Sequence, residues 1–256
     1  MDASWIADRI GNELRIFYGD DECPQYGVLH LNDSYFRLNS GPTSGWGTSV
    51  ILLPIFWSRS QCPPPGLCHG APVEVISRVE GSDLILAVTG AIGGLHVSST
   101  VRFSPPAEHS ITVEITTTVE GMVVLEPRPG EAFKPVMLSS MHISSTLWDT
   151  QVAYAGSHTF PLPMSGWIVQ PPVVAQVFGL RGGTSAWKTN APTIEVMLDR
   201  PMHIAGWVTQ SNDPNDDNIG LWAASDNIVP RWNFKIISAL PTALSTPSVC
   251  DTNDNV

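Results

Sequence analysis

The sequence predicts an all-β fold, a single-domain antiparallel β-sandwich of two sheets, jelly-roll-like in character. Three observations predict it. Helical periodicity is almost absent, and short β-rich runs alternate with Gly, Pro, Asn and Asp. One run alternates cleanly: Ile111, Val113, Ile115 and Val119 share a face, while Thr112, Glu114, Thr116, Thr118 and Glu120 share the other. That is a strand with one dry and one wet side, as antiparallel sheets allow. A dozen or more such runs with no helices between them exclude a parallel α/β sheet.

In chain order, strands are expected over Glu13–Tyr18, Ser34–Leu38, Thr48–Phe56, Val73–Val79, Asp83–Thr89, Leu95–Phe103, Ser110–Val119 and Val136–Ser145. Further ones are expected over Val173–Leu180, Thr193–Leu198, His203–Val208 and Trp232–Ile237. Glu80-Gly81-Ser82 between two of them is a hairpin signal. Trp46 and Trp57 flank an apolar strand and read as core. No linker splits the chain, so residues 1–240 read as the sandwich and Pro241–Val256 as an extended polar tail held at Cys250.

The chain has 256 residues, 43% of them hydrophobic and only 14% charged, against a usual charged share of about 25%. Its net charge is −11. Such a chain repels phosphate backbones and anionic membrane surfaces, so neither nucleic acid nor membrane is an expected partner. No apolar run approaches the roughly 20 residues of a membrane helix.

The N-terminus, Met1 to Ile10, carries charges and lacks the apolar segment of a secretory signal, so the expectation is an intracellular protein or a mature chain. The cysteines choose between these. Cys62 and Cys68 bracket a proline run, and Cys23 and Cys250 lie alone. This is neither the spacing of structural zinc nor a redox Cys-x-x-Cys. The simplest pairing is Cys62–Cys68 and Cys23–Cys250, one of the three connectivities four cysteines allow. The short loop stabilises by about 2 kcal/mol and the long one by about 5 in the chain-entropy model. Asn32-Asp33-Ser34 is an N-glycosylation acceptor in a turn-like stretch. Together these favour a secreted or ER-lumenal protein.

No catalytic motif of standard spacing is present, so candidate chemistry rests on strand parity. In Ser140 to Asp149, parity puts Ser140, His142, Ser144, Thr146 and Trp148 on one face and Met141, Ile143 and Leu147 on the other. In Met202 to Trp207, His203 and Trp207 share a face with small Ala205 between them, leaving room for a ligand. Between these runs lies a Gly-rich loop bearing Arg181, Trp187 and Lys188. The Asn212–Asn218 stretch lacks the calcium-loop pattern, and His69, just past the proline loop, reads as exposed. Strand-borne Glu74, Glu114 and Glu195 sit in no recognisable acid/base pair of the kind glycoside hydrolysis needs. No metal and no cofactor is expected.

The sequon Asn32-Asp33-Ser34, the four cysteines, the chain length and the Trp-rich, motif-free body resemble the secreted, glycosylated fungal hetero-Diels–Alderases of tropolonic sesquiterpenoid biosynthesis. The resemblance covers the general character of the chain and transfers no catalytic residue. It implies dehydration to an o-quinone methide and [4+2] cycloaddition with a humulene-type alkene. From parity and composition, His142 and His203 are the candidates for proton transfer. Trp148, Trp187 and Trp207 are candidate walls, and Arg181 and Lys188 candidates to steady a tropolonate or phenolate oxygen. The partner is then an apolar small molecule, with a homodimer as a further expectation.

Two other readings stand beside this one. Tryptophans stack on sugars as well as on terpenoids, which admits a carbohydrate-active sandwich, either a hydrolase, a lyase or a lectin-like module. The missing motifs admit a structural or interaction protein.

Overall fold

The computed structural model describes residues 4–19, 25–32, 35–39, 47–62, 66–107, 110–126, 136–144, 151–161, 166–182, 193–209 and 218–239. Among these residues all regular structure is strand. None forms a helix long and apolar enough to cross a membrane. The strands are β1 Trp5–Ile10, β2 Glu13–Tyr18, β3 Gln25–His30, β4 Tyr35–Asn39, β5 Gly47–Ile51, β6 Ile55–Trp57, β7 Leu67–Cys68, β8 Pro72–Glu80 and β9 Asp83–Ile92. They continue with β10 Leu95–Phe103, β11 Ser110–Glu120, β12 Val136–Ser144, β13 Gln151–Ala155, β14 His158–Pro161, β15 Gly166–Gly182, β16 Thr193–Thr209, β17 Asn218–Ser225 and β18 Arg231–Ala239.

Among the described residues every pairing is antiparallel, and the pairings trace two layers. The first runs β8, β9, β10, β11, β18, then the first half of β16, the second half of β15, β13 and β14. The second runs β1 through β5, then β12, β17, the second half of β16 and the first half of β15, with β6 and β7 beside β12. The long hairpin of β15 and β16 belongs to both layers and forms the corner between them.

Sequence chemistry explains that corner. Pro171 and Pro172 lie where the β15 register shifts between Val169 and Val173. Pro201 lies where β16 leaves β18 after Leu198 and meets β17 from His203. A proline has no N–H to give a ladder, so a strand changes neighbours or bulges there at least cost. The expected breaks at 199–202 are therefore partner exchanges inside one strand. Conversely, Thr48–Phe56 divides into β5 and β6 around Pro54.

One core joins the layers. β10 alternates buried and exposed along its whole length, with Leu95, Val97, Val101 and Phe103 inward. Phe103 meets Trp5 at 5.5 Å and Phe36 at 5.4 Å between ring centroids, which ties β10 to β1 and β4 of the opposite layer. Aromatic pairs at this spacing add to the burial of their area. β11 carries Ile111, Val113, Ile115 and Val119 inward, as the alternation predicts. The fifth inward position is Thr117, fully buried and bonded to Ser99 at 2.9 Å. The expected tail falls outside the described residues, as do Trp46, Cys23, Cys250 and the run from Asn212 to Asp217.

Candidate functional site

β16 and β17 present two apolar faces. Toward the main core they send Met202, Ile204, Leu221 and Ala223. On the opposite face, Ala205, Trp222 and Ala224 form a separate buried cluster, with Met137 of β12 packed against it. Register explains the grouping. Ala205 pairs with Trp222 and His203 with Ala224, and Ala224 pairs in turn with Met137. Small Ala205 stands opposite Trp222, which is 8% exposed.

His203 is half-buried beside this cluster, and Trp207 stands at its edge, 37% exposed. Trp207 is level with Gly220, and Gly220 is level with His142. The backbone thus sets positions 142 and 207 one strand to either side of a residue with no side chain. The side chain of His142 lies outside the described residues. So do Trp148, Trp187 and Lys188. What the arrangement can do is limited and definite: an imidazole can give or take a proton, and flat indoles can exclude water from an apolar ligand.

Arg181 goes elsewhere. It sits seven positions along β15 from Val174, the partner of His203, a path of about 23 Å at strand rise. Its guanidinium stands 5.3 Å from the ring centre of Tyr154. The Tyr154 hydroxyl donates a 3.0 Å hydrogen bond to Glu195. Burial, reinforced by Glu195, raises the phenol well above its ordinary value. Sequence reasoning singled out Arg181 and Glu195 separately and missed Tyr154, which joins them, and Trp222. Tyr154 and Glu195 lie 41 residues apart, and only the register through Gly179 brings them level.

Cys62 and Cys68 are bonded to each other, with Cα atoms 5.4 Å apart, and no described cysteine is free. Asn32 is exposed in the turn after β3, and His69 is exposed after β7. A groove of about 520 Å³ lies beside the disulfide loop, lined chiefly by Gln61, Met122, Val124, Asn227 and Ile228. Met122 and Val124 are strongly exposed at its wall, and the Val124 N–H donates to the Gln61 side chain at 2.8 Å. No predicted site residue lines it. It is a shallow surface feature without a titratable group, so the imidazole-bearing face is the better chemical candidate. Among the described residues no three His, Cys, Asp or Glu side chains converge as metal ligands do.

Fold and site together define a disulfide-bonded, all-β antiparallel sandwich with a second buried apolar cluster on the face of β16 and β17 turned away from the main core. The chain matches no protein-family model and no curated protein.

Proposed function

We propose that this chain is a cofactor-independent enzyme acting on an apolar small molecule at the face of Ala205, Trp222, Trp207 and His203. The observation that carries the reading is the cluster of Ala205, Trp222 and Ala224, buried apart from the main core with a half-buried imidazole beside it. The cluster itself is packed, with Trp222 at 8% exposure, and a ligand meets it at its accessible edge, Trp207 and His203.

The chemistry that fits is dehydration of a hydroxymethyl group next to a ring hydroxyl, followed by [4+2] cycloaddition. His203 protonates the departing hydroxyl and then takes the ring O–H proton, so one water leaves and the imidazole is restored. The resulting quinone methide closes on an alkene, forming one C–C and one C–O bond with no net oxidation or reduction. Indole walls contribute by orienting the two partners and excluding water from the reactive intermediate. The Cys62–Cys68 bond and the exposed Asn32 favour an oxidising, secretory setting for this chemistry.

The test supplies a hydroxymethyl tropolone with a humulene-type alkene and follows the adduct by chromatography and mass spectrometry. His203→Ala is expected to lose on the order of 100-fold in rate, and His142→Ala, at a position level with Trp207 at the far end of the face, is expected to lose less. Trp222→Ala is expected to raise KM. Unchanged turnover in both histidine variants, or strong retention of the parent protein on a neutral glucan in place of any adduct, overturns the proposal.

A further inference from the structure

We infer that two copies of this chain pair edge to edge through β8, antiparallel about a two-fold axis at Ile76. This is independent of the catalytic reading. Among the described residues β8 pairs only with β9, and no described strand lies against its other side. Val75 packs against the core, but the other branched apolar side chains of the strand are unusually bare: Val73 is 77% exposed, Ile76 52% and Val79 51%. Soluble proteins generally shorten, bend or charge such an edge, because it templates pairing with another chain.

The sequence of this edge favours one occupant. Reflecting Glu74-Val75-Ile76-Ser77-Arg78 about Ile76 places Glu74 of one copy opposite Arg78 of the other, twice by symmetry. Ile76 then meets Ile76, and Val75 meets Ser77. Val73, carried on the bulge between Pro72 and Glu74, falls toward Val79 at each end of the ladder. Glu74, Ile76 and Arg78 share one face, since they pair with Thr89, Ala87 and Ile85 of β9, which alternate with the core-facing Leu84, Leu86 and Val88. Cross-strand pairs of this kind are the unit of sheet stabilisation.

The backbone agrees. The hairpin to β9 turns through Gly81 and Ser82, with Gly81 at φ +63° and Glu80 paired to Asp83. In a two-residue hairpin the closing pair is hydrogen-bonded, and bonded pairs recur at every second residue. Glu80, Arg78, Ile76 and Glu74 therefore spend their N–H and C=O groups on β9, while Ser77 and Val75 turn theirs to the open edge. Reflection about Ile76 pairs Val75 with Ser77, so the two sets of free groups meet. The net charge of −11 opposes indiscriminate association, and the Glu74–Arg78 match is a local exception that a second copy alone supplies twice.

The experiment is sedimentation velocity of the full chain across a concentration series, with Glu74→Arg, Arg78→Glu and the double swap. The parent is expected to dimerise. Each single swap sets two like-charged pairs face to face and is expected to weaken the dimer about tenfold, and the double swap to restore it. Hydrogen exchange is expected to slow at the amides of Val75 and Ser77 as concentration rises. A parent chain that stays monomeric up to about 1 mM, the weak end of the affinity scale, overturns the inference. So does a dimer that both single swaps leave unchanged.

Discussion

The phenol of Tyr154 reaches the carboxylate of Glu195 at 3.0 Å by crossing Gly179, which stands between them on the same sheet face. Burial and Glu195 both raise the phenol above its ordinary value of 10.0. A raised folded-state value means the fold favours neutral Tyr154. Below pH 10.0 both folded and unfolded phenols are neutral and the stabilisation is complete. Above it the unfolded chain releases its proton first, fewer protons are bound in the unfolded state, and stability falls as pH rises. Denaturant melts from pH 8 to 11, roughly the range that brackets phenol titration, are expected to show this decline in the parent and a shallower one in Tyr154→Phe. Because Tyr154 is only half-buried, the Phe variant is expected to cost about 1 kcal/mol at neutral pH.

Gly179 fixes that geometry. A Cβ placed there would lie 2.0 Å from the carbonyl oxygen of Ile194 and 3.0 Å from the Tyr154 hydroxyl. The first contact is with backbone, which cannot swing aside. Gly179→Ala is expected to cost about 3 kcal/mol, the upper end for overpacking. Glu195→Gln keeps the shape and is expected to cost less. Chemical unfolding of the two variants checks the order.

Much of this fold is legible in the sequence, and the reasons are local. β10 and β11 declare themselves because one face is wet and one dry, so residue type alternates with burial. The corner strands do not. Val173–Leu180 reads as a short strand because Pro171 and Pro172 precede it, yet β15 begins at Gly166 and passes through both prolines on a bulge. Parity finds the shared face of His203 and Trp207, since both lie on one strand. It cannot find Trp222, which joins them only by pairing with Ala205. Nor can it separate Arg181 from His203: the glycines around Arg181 read as a loop, whereas Arg181 lies on β15 and pairs with Val152 of β13.

The buried hydroxyls of Ser99 and Thr117 are unequal partners. Ser99 donates to the carbonyl of Leu52 at 2.9 Å, which leaves Thr117 to donate to Ser99 at 2.9 Å. Ser99→Ala strands both the Leu52 carbonyl and the Thr117 hydroxyl in the core. Thr117→Val removes one donor and leaves the Ser99 proton satisfied. Ser99→Ala is therefore expected to cost about 2 kcal/mol and Thr117→Val about 1, with the double variant below the sum. A double-mutant cycle by urea unfolding measures the difference.

The Cys62–Cys68 bond closes a loop beside the groove of Gln61 and Met122. Phe56 pairs with Cys68, so the bridge also holds β7 against β6. Reducing it is expected to remove about 2 kcal/mol. Calorimetry of the parent with and without reductant, against Cys62→Ser/Cys68→Ser, is expected to bring the reduced parent to the melting temperature of the variant.

The last prediction concerns the corner, where β16 leaves β18 and side chains take over from the ladder. Asp199 accepts the N–H of Asn233 at 3.1 Å, and Arg200 donates to the carbonyl of Arg231 at 2.6 Å. The same two side chains hold each other, with the Arg200 Nε 3.1 Å from Asp199. Pro201 follows immediately and can donate nothing, so the pair supplies at the start of β18 what the backbone of β16 cannot. Both side chains are exposed, which screens their mutual charge and leaves the two backbone contacts as the larger effect. Asp199→Asn keeps an acceptor for Asn233 and is expected to cost little. Asp199→Ala frees that N–H and unties Arg200, and is expected to cost about 1 kcal/mol. Hydrogen exchange at the Asn233 amide separates the two accounts. Faster exchange in Asp199→Ala, with Asp199→Asn at the parent rate, shows the backbone contact at work, whereas equal acceleration in both variants shows that the charge matters more.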